Sequence, residues 1–340
     1  MMGVVFPGDR KVEVREFDIP EPQPGEVLIK VKASAICRSD MHLYYGVNVL
    51  GGEVPKECFI PGHEPAGQVE KTGPNVRTLK QGDRVAVYLA NGCGNCEYCK
   101  AGYIMLCSEF KCIGFDMHGG DAEYMIVPEK YCMKIPQDMS YVTAALSTDA
   151  IGTLYHAQKR MNISGRDTMA LFGIGPMGGA GVMVAKGMGA TTIAVDNVAD
   201  RLALAKELGA DYTIDFSKVD AVAAIKEITC GRGADAAIDT SGNSVAENNV
   251  LDCLKPHGRA AFVGEATQTT IKPSEQFIRK QIMLFGSWYF PIWEYEEIVD
   301  FIMERKLPVE KLVTHRFSLK DADEAFKLFD THKTQKVVFV

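Results

Sequence analysis

The stretch Met169-Ala170-Leu171-Phe172-Gly173-Ile174-Gly175-Pro176-Met177-Gly178 decides the fold of this chain. Its first four residues are apolar, as expected of a buried strand. Gly173, Gly175 and Gly178 then form the G-x-G-x-x-G pattern that opens a helix after such a strand. The first glycine permits the tight turn, the second lets the backbone approach a pyrophosphate, and the third allows close helix–strand packing. The pattern predicts a dinucleotide site; the alternative is a glycine-rich turn without a ligand.

The next predicted strand, 192–196, ends in an acidic residue. Asp196 lies at the distance from the glycines, about 20 residues, where a carboxylate binds the ribose 2′-hydroxyl. Because a carboxylate at this place repels a 2′-phosphate, we expect NAD rather than NADP. Arg201 is expected to reach the same ribose. Pro176 and Met177, within the glycine loop, are also predicted to bind the cofactor.

Short apolar strands alternate with helical segments on either side of this motif. A helix is predicted over 201–208, and strands are predicted at 169–172, 192–196, 212–214, 236–239, 260–263 and 282–285. This alternation is typical of an α/β fold with a doubly wound parallel sheet.

The two ends of the chain have a different character. The first third has short strands, at 11–15, 27–31 and 84–88, among frequent glycines and prolines, as in a compact barrel or sandwich. Beyond residue 289, amphipathic helices at 295–304 and 322–329 precede a closing strand at 336–340. We expect this tail to return to the first domain, because it lies beyond the sixth strand of the sheet.

Composition excludes several classes of protein. The chain has 340 residues, which suggests about two domains. With 46% hydrophobic and 24% charged residues it is neither disordered nor collagenous. A net charge of −7 argues against nucleic-acid partners. No secretory signal is visible, and the longest uncharged stretch, 168–185, contains five glycines and a proline, which argues against a membrane helix. We therefore expect a cytoplasmic protein with no membrane or nucleic-acid partner.

Four of the ten cysteines form the cluster Cys93-x2-Cys96-x2-Cys99-x7-Cys107. Four thiolates can surround one tetrahedral Zn2+ and leave no open position, so such a site is structural. An iron–sulfur cluster is the alternative, although its ferredoxin pattern has a three-residue last gap and a following proline. Five further cysteines have no such spacing and are expected to be buried free thiols: Cys58, Cys112, Cys132, Cys230 and Cys253.

A second concentration of reactive side chains lies in Cys37-Arg38-Ser39-Asp40-Met41-His42 and Gly62-His63-Glu64. Catalytic zinc takes three protein ligands and leaves the fourth position for water or substrate. Cys37 and His63 are natural ligands of that kind. Spacing alone does not choose the third.

These motifs, followed in order by the four cysteines, the glycine loop and Asp196, make the chain resemble the zinc-containing medium-chain alcohol and polyol dehydrogenases over essentially its full length. The resemblance implies a GroES-like β catalytic domain at 1–150, completed by 291–340, and a Rossmann NAD-binding domain at 151–290. It implies two Zn2+ per chain, one catalytic and one structural, with NAD and a small alcohol or polyol in a cleft between the domains. It also implies a homodimer or homotetramer joined through the edges of the Rossmann sheets.

The same resemblance implies roles for individual residues. Cys37 and His63 correspond to zinc ligands, and Glu64 to an adjacent carboxylate that can enter the coordination shell. In many members the third ligand is a cysteine shortly before the first Rossmann strand. Here the segment 147–153 contains no cysteine, and Asp149 falls at the matching place. We expect Asp149 to be the third ligand, with Glu64 or water as alternatives; an aspartate there is otherwise a helix N-cap.

A proton relay is implied as well. Zinc is a Lewis acid that lowers the pKa of a bound oxygen. Ser39 would accept the alcohol proton and pass it through the nicotinamide ribose to His42 and solvent, while hydride moves to the nicotinamide. Asp40 would orient a metal ligand by a hydrogen bond. Arg38 and Lys336 match positions that contact the cofactor pyrophosphate, and a solvated surface charge is the alternative for Lys336.

The substrate is expected to be a hydroxylated secondary alcohol, such as a polyol, cyclitol or sugar, because polar groups are mixed with the aromatic ones in the segments that the family places near the cleft. A reductase of small apolar ketones is the alternative, and a zinc-ribbon redox sensor that binds NADH is a more distant one. The candidate pocket walls are Tyr44, Tyr45, Leu89, Phe115, Asp116, His118, Trp288 and Tyr289.

Overall fold

The computed structural model describes residues 1–48 and 58–340 and divides them into two compact units. The first unit comprises Met1–Asp149, Pro291–Val299 and Val313–Val340, and the second comprises Ala150–Phe290 and Asp300–Leu312. The sequence assigned all of 291–340 to the first domain, whereas 300–312 packs with the second. Phe301 packs against Gly187 and Leu312 packs against Gly179, and a Cβ on either glycine would leave no room for that contact.

The strands and helices lie close to their predicted positions. The strands are β1 Met2–Gly8, β2 Lys11–Glu16, β3 Glu26–Ile36, β4 Pro65–Thr72, β5 Arg84–Val87, β6 Ala90–Asn91, β7 Lys111–Cys112, β8 Tyr124–Pro128, β9 Cys132–Lys134, β10 Thr168–Phe172, β11 Thr191–Asp196, β12 Tyr212–Asp215, β13 Ala234–Asp239, β14 Leu254–Phe262, β15 Met283–Gly286, β16 Val313–Phe317 and β17 Lys336–Phe339. The α-helices are α1 Asp40–Tyr44, α2 Glu97–Lys100, α3 Tyr141–Leu146, α4 Gly152–Arg160, α5 Pro176–Gly187, α6 Ala199–Glu207, α7 Ala221–Ile228, α8 Ser244–Asp252, α9 Tyr295–Glu304 and α10 Ala322–Asp330.

Shorter helical segments complete the described chain. Two of them are π-helices, Ser147–Ile151 and Pro273–Ile278, and the others are 3-10 turns at Ile104–Leu106, Glu129–Tyr131, Ile292–Glu294, Val309–Leu312 and Leu319–Asp321. Within residues 1–48 and 58–340, no helix has the length and apolar character that crossing a membrane requires.

The first unit is built on a mixed sheet in the order β16–β17–β3–β4–β5–β9, with β8 also paired to β3. The closing strand β17 lies antiparallel to β3, so that Val337 pairs with Ile36. The tail therefore reaches the end of β3, immediately before Cys37. Helix α10 covers this region with Phe326 and Phe329, which share a buried core with Ile36 and Met41 of the same unit.

The second unit is a parallel sheet in the order β12–β11–β10–β13–β14–β15. This is the doubly wound order 3-2-1-4-5-6 of dinucleotide-binding domains. The prediction of that sheet is confirmed. Strand β14 begins six residues before its predicted start, because Leu254 already pairs with Ala234. The order reverses between β10 and β13, and the glycine loop follows β10 at that point.

Candidate active site

Four side chains of the first unit form a cluster of potential metal ligands: Cys37, His63, Glu64 and Asp149. One ligand atom from each lies within 4.8 Å of the others. The Cys37 Sγ is 3.4 Å from an Asp149 oxygen, and the His63 Nε2 is 4.0 Å from the same oxygen. A tetrahedral zinc separates its ligand atoms by roughly 3.3–3.8 Å, given bonds of about 2.0–2.3 Å. The sulfur, imidazole and carboxylate donors therefore fit Zn2+ in chemistry and in spacing.

The pairing of two strands brings Cys37 and His63 together. Cys37 follows β3 directly, and His63 and Glu64 directly precede β4. These strands are antiparallel neighbours, and the amide of Ala35 donates to the Glu64 carbonyl at 3.2 Å. The end of one strand thus lies beside the start of the other.

Asp149 reaches the cluster from a π-helix, Ser147–Ile151, between α3 and α4. The N-cap hypothesis for Asp149 is wrong. Helix α3 is capped by Ser140, which accepts from the Thr143 amide, and α4 begins after Ile151 with no side-chain cap. Burial alone would raise the pKa of Asp149, but the Lys336 ammonium and His63 hold it below its usual value. Asp149 therefore offers an ionised carboxylate as a potential metal ligand.

Asp40 orients two members of the cluster at once. His63 Nδ1 donates to one Asp40 oxygen at 2.8 Å, and the Cys37 amide donates to the other at 2.8 Å. Asp40 thus makes the kind of hydrogen bond expected of it, to two residues proposed as ligands. Because Asp40 holds Nδ1, Nε2 is the ring nitrogen of His63 that faces the cluster. Burial lowers the pKa of His63, but the Asp40 carboxylate outweighs it and raises that pKa well above the ordinary value.

Lys336 of β17 is fully buried, and its ammonium pairs with Glu64. The surface-charge alternative for Lys336 is therefore wrong. The expected pyrophosphate role is also not what this geometry favours, because the ammonium lies on a cluster carboxylate. Burial raises the pKa of Glu64 to about 8 against the opposing effect of Lys336. The second Glu64 oxygen is buried without a hydrogen-bond partner among the described residues, as expected where an ion can bind.

The predicted relay residues lie in one turn beside the cluster. The Ser39 hydroxyl is 3.9 Å from the Cys37 sulfur. His42 is half-buried in α1, and its amide donates to the Ser39 carbonyl at 3.1 Å. Arg38 is exposed and its guanidinium contacts the ring of His332.

The four cysteines of the second cluster also converge within 4.8 Å of one another: Cys93, Cys96, Cys99 and Cys107. Backbone amides donate to their sulfurs; for example, Asn95 and Cys96 donate to Cys93 at 3.5 and 3.4 Å. These bonds lower the pKa of Cys93 to about 7. Gly92 is required at its position, because a Cβ there would lie 2.7 Å from the Cys99 sulfur. The cluster is a possible structural zinc site.

The remaining cysteines divide by burial. Cys112 and Cys253 are buried free thiols as predicted, and Cys132 is partly buried. The prediction is wrong for Cys58 and Cys230, which are exposed. Cys230 follows the end of α7 in a turn with φ +52°, outside the packed face of that helix.

In the second unit, the local geometry explains why each of the three loop positions is occupied by glycine. Gly173 has φ +84°, which disfavours any side chain. A Cβ on Gly178 would lie 2.0 Å from the Gly173 carbonyl oxygen. A Cβ on Gly175, by contrast, would meet nothing within 4 Å. Gly175 is the N-cap of α5, with Pro176 and Met177 in its first turn, so open space lies over the positive end of a twelve-residue helix, which favours a phosphate.

Asp196 ends β11 beside this loop. One of its oxygens accepts from the Ile174 amide at 2.6 Å, and the other accepts from the amides of Asn197 and Val198 at 2.7 and 2.9 Å. Arg201 lies 3.7 Å from the carboxylate. The acid predicted to bind ribose is therefore fixed in place next to the glycine turn.

Comparisons with known proteins agree with this architecture. Residues 23–137 match the alcohol dehydrogenase GroES-like domain and residues 176–304 match the zinc-binding dehydrogenase family. The uncharacterized zinc-type alcohol dehydrogenase-like protein YphC of Escherichia coli is 36% identical over 99% of this chain and 98% of its own. The chain belongs to the zinc-type alcohol dehydrogenase family.

Several relatives of this dehydrogenase have named activities. The L-threonine 3-dehydrogenase of Thermococcus kodakarensis is 36% identical over 96% of this chain and 94% of its own. The sorbitol dehydrogenase of Bacillus subtilis is 34% identical over 96% and 93%.

Solved structures share the whole fold. Galactitol-1-phosphate dehydrogenase from E. coli has a TM-score of 0.91 at 27% identity and covers all of both chains. An alcohol dehydrogenase from E. coli CFT073 in complex with NADH has a TM-score of 0.91 at 27% identity and covers 100% of this chain and 99% of its own. A zinc-binding dehydrogenase from Sinorhizobium meliloti bound to NADP has a TM-score of 0.91 at 28% identity and covers 100% of this chain and 98% of its own.

The substrate-wall predictions for this dehydrogenase are partly wrong. Phe115 lies against the His63 ring, with centroids 5.3 Å apart. Tyr44 is instead part of the buried core beneath α10. Asp116 uses a carboxylate oxygen to accept from the Cys112 amide at 2.8 Å. His118 lines a groove with Met1 and other residues, none of them from the metal-ligand cluster. Of the two polar groups that suggested a hydroxylated substrate, His118 therefore lies in a groove apart from the cluster.

Proposed function

We propose that this chain is a zinc-dependent dehydrogenase that transfers hydride between a hydroxylated secondary alcohol and NAD. The observation that carries the proposal is the convergence of Cys37, His63 and Asp149 within 4.8 Å. This arrangement supplies one thiolate, one imidazole and one carboxylate, which leaves a fourth position for substrate around a tetrahedral ion.

We assign the catalytic zinc to Cys37, His63 and Asp149. Glu64 is the fourth member of the cluster, and Lys336 neutralises it. Because an ion pair holds Glu64, we propose that Glu64 stays outside the resting ligand set and enters it only when it leaves Lys336. A second Zn2+ is assigned to the four cysteines, which gives two ions per chain.

The residues around the site have separate tasks in this proposal. When bound, zinc supplies Lewis acidity that makes the alcohol proton easier to remove. Ser39 accepts that proton, since its hydroxyl lies beside the Cys37 sulfur. His42, half-buried in the same turn, receives the proton after Ser39 and releases it to solvent. Phe115 covers one side of His63 and excludes water from it.

NAD is the proposed cofactor. We assign the pyrophosphate to the open space beside Gly175 at the start of α5, where Gly173 and Gly178 shape the turn. Arg38 is kept as a proposed cofactor-binding residue. Asp196 and Arg201 are assigned to the adenosine ribose. The support for NAD over NADP is the anchored Asp196 carboxylate, whose charge opposes a 2′-phosphate. Lys336 is assigned to the metal site instead of the pyrophosphate.

The proposed substrate class is a polyol, cyclitol or sugar-like secondary alcohol. Its support is the full-length similarity to sorbitol and galactitol-1-phosphate dehydrogenases. A small apolar ketone or secondary alcohol is the alternative, and the apolar Phe115 beside His63 favours it. For a protein that only senses NADH, the Cys37–His63–Asp149 convergence would have no use.

A substrate panel tests the proposal. The purified zinc-loaded protein is assayed for NADH formation with polyols, cyclitols, sugars, L-threonine, 2-alkanols and primary alcohols. We expect the highest kcat/KM with a polyol, cyclitol or sugar. Turnover confined to 2-alkanols would support the apolar alternative, and NADH binding with no turnover of any alcohol would support the sensor.

We also propose a cytoplasmic homodimer or homotetramer. The support for assembly is the edge position of β15 in the parallel sheet, with Met283 and Leu284 exposed there. The support for the compartment is that all ten cysteines are free. Light scattering of the purified protein tests the assembly: a monomer at micromolar concentration would contradict it.

A further inference from the structure

Two buried hydroxyls tie the π-helix that carries Asp149 to the start of α9. The Oγ of Ser147 and the hydroxyl oxygen of Tyr295 lie 2.9 Å apart. Ser147 is fully buried and Tyr295 is 2% exposed. Ser147 also donates to the Ala144 carbonyl at 2.7 Å. Because a serine hydroxyl has a single proton, Tyr295 is the donor in the pair.

The π-helix has an unusual shape that side chains help to maintain. Such a turn is wider than an α-turn and commonly occurs at functional sites. Thr148 bonds back to the Ala145 carbonyl at 2.7 Å, as Ser147 does to Ala144. The hydroxyl of Tyr295, 148 residues along the chain from Ser147, is bonded to this turn from outside it.

Asp149 depends on the shape of that turn. It lies two residues after Ser147 within the same five-residue π-helix. An aspartate has a short side chain, so the position of its carboxylate follows closely from its backbone. A regular α-turn at this point would change the direction of Asp149 relative to Cys37 and His63.

We propose that Tyr295 is a positioning residue which, through Ser147, holds the π-helix in the shape that directs Asp149 at the metal site. In this role Tyr295 acts only through its hydrogen bond to Ser147. The inference rests on the proposed function, because it takes Asp149 as a zinc ligand. It adds the hydrogen bond that holds the Asp149 backbone in the position for that role.

The hydroxyl group can be tested apart from the packing. Phenylalanine keeps the ring of Tyr295 and removes only the donor. Burial raises the pKa of Tyr295, so the hydroxyl remains a protonated donor throughout the working range. Tyr295→Phe therefore removes one hydrogen bond to the π-helix, while the volume of the side chain at position 295 stays nearly unchanged.

The experiment measures zinc affinity in Tyr295→Phe, Ser147→Ala and the double variant. Each purified holoenzyme is titrated with a chromogenic chelator, and cobalt(II) absorption identifies which site has lost its ion. We expect each single variant to bind the catalytic ion about tenfold more weakly, the lower range for changes behind a metal ligand. The double variant should bind the ion no more weakly than Ser147→Ala, because that change already removes the bond to Tyr295.

Tyr131→Phe is the matched control. Its hydroxyl is also buried, and it accepts from the Gly92 amide at 3.0 Å and donates to the Gly92 carbonyl at 3.2 Å, beside the four cysteines. We expect this variant to leave the affinity of the Cys37 site unchanged. If Tyr295→Phe lowers the thermal midpoint like Tyr131→Phe but leaves that affinity within twofold, the bond is only structural and the inference is overturned.

Asp149→Ala distinguishes a failure of the ligand assignment from a failure of the positioning role. If this variant also binds the catalytic ion with full affinity, the ligand assignment of the proposed function fails. If Asp149→Ala loses the ion while Tyr295→Phe and Ser147→Ala retain it, only the positioning role fails.

Discussion

Asp40 accepts hydrogen bonds from His63 and from Cys37, each at 2.8 Å, one on each carboxylate oxygen. A single buried side chain thus fixes the ring of one proposed zinc ligand and the backbone of another. The two ligands come from different strands, so Asp40 joins the end of β3 to the turn before β4. Its contribution is measurable apart from that of the ligands themselves.

Asp40→Asn is expected to weaken binding of the catalytic zinc by about 10- to 100-fold, because the amide no longer holds the Nδ1 proton of His63 by charge. The four-cysteine site should keep its ion, since Asp40 lies outside it. Chelator competition on the purified variant measures both affinities. An unchanged affinity at the Cys37 site would show that His63 is oriented without Asp40.

Lys336→Met removes the cation that balances Glu64. In zinc-free protein we expect a loss of roughly 1 kcal/mol in the free energy of unfolding at pH 9, because without the ammonium the buried Glu64 must take up a proton at that pH. Burial already raises the pKa of Glu64 to about 8, and loss of Lys336 raises it further. Protonated Glu64 has no charge to balance, so the loss should be smaller at pH 6 and should grow as pH rises through that pKa.

The matched variant is Lys336→Met combined with Glu64→Gln. Without either charge, most of the lost stability at pH 9 should return, as measured by urea unfolding at both pH values. An equal loss in the single and double variants would mean that packing around Lys336, and not the ion pair, carries its contribution.

His42→Ala is expected to slow turnover most at low pH, because the proton then lacks its route to solvent where external base is scarce. A small buffer base such as imidazole should restore part of the rate. The kcat-against-pH profile in several buffer concentrations is the measurement. A profile that coincides with that of the original protein would remove His42 from the relay.

Asp196→Ser tests the cofactor assignment. The original protein should prefer NAD to NADP by at least tenfold in kcat/KM, because the carboxylate repels the 2′-phosphate. The serine variant should lose most of that preference, chiefly through a lower KM for NADP. A preference for NADP in the original protein would contradict the role given to Asp196.

The sequence predicts best where local chemistry is decisive. Gly173 needs a positive φ and Gly178 meets a carbonyl oxygen, so both roles followed from the pattern alone. The four cysteines lie within fifteen residues of one another, and short spacing limits what they can do. The parallel sheet followed similarly, because each of its strands is a short apolar run.

Contacts between distant segments were beyond such reasoning. Lys336 meets Glu64 across 272 residues, and no local pattern distinguishes it from a surface lysine. The π-helix at Asp149 leaves no sequence signature that separates it from an α-turn. Tyr44 and His118 were misplaced because an aromatic or polar residue near a motif can face either side of its backbone. These positions depend on which strands become neighbours.

The most direct test of the central claim is the zinc content and turnover of Cys37→Ala. Removing this sulfur deletes one proposed ligand, while the strands and the cysteine cluster remain. We predict about two zinc ions per chain in the original protein and about one in the variant, with an unchanged fold by circular dichroism and turnover reduced at least a thousandfold, on the order of the several kcal/mol that a catalytic metal supplies. A variant that keeps both ions, or that oxidises its best alcohol at close to the original rate, would contradict the account.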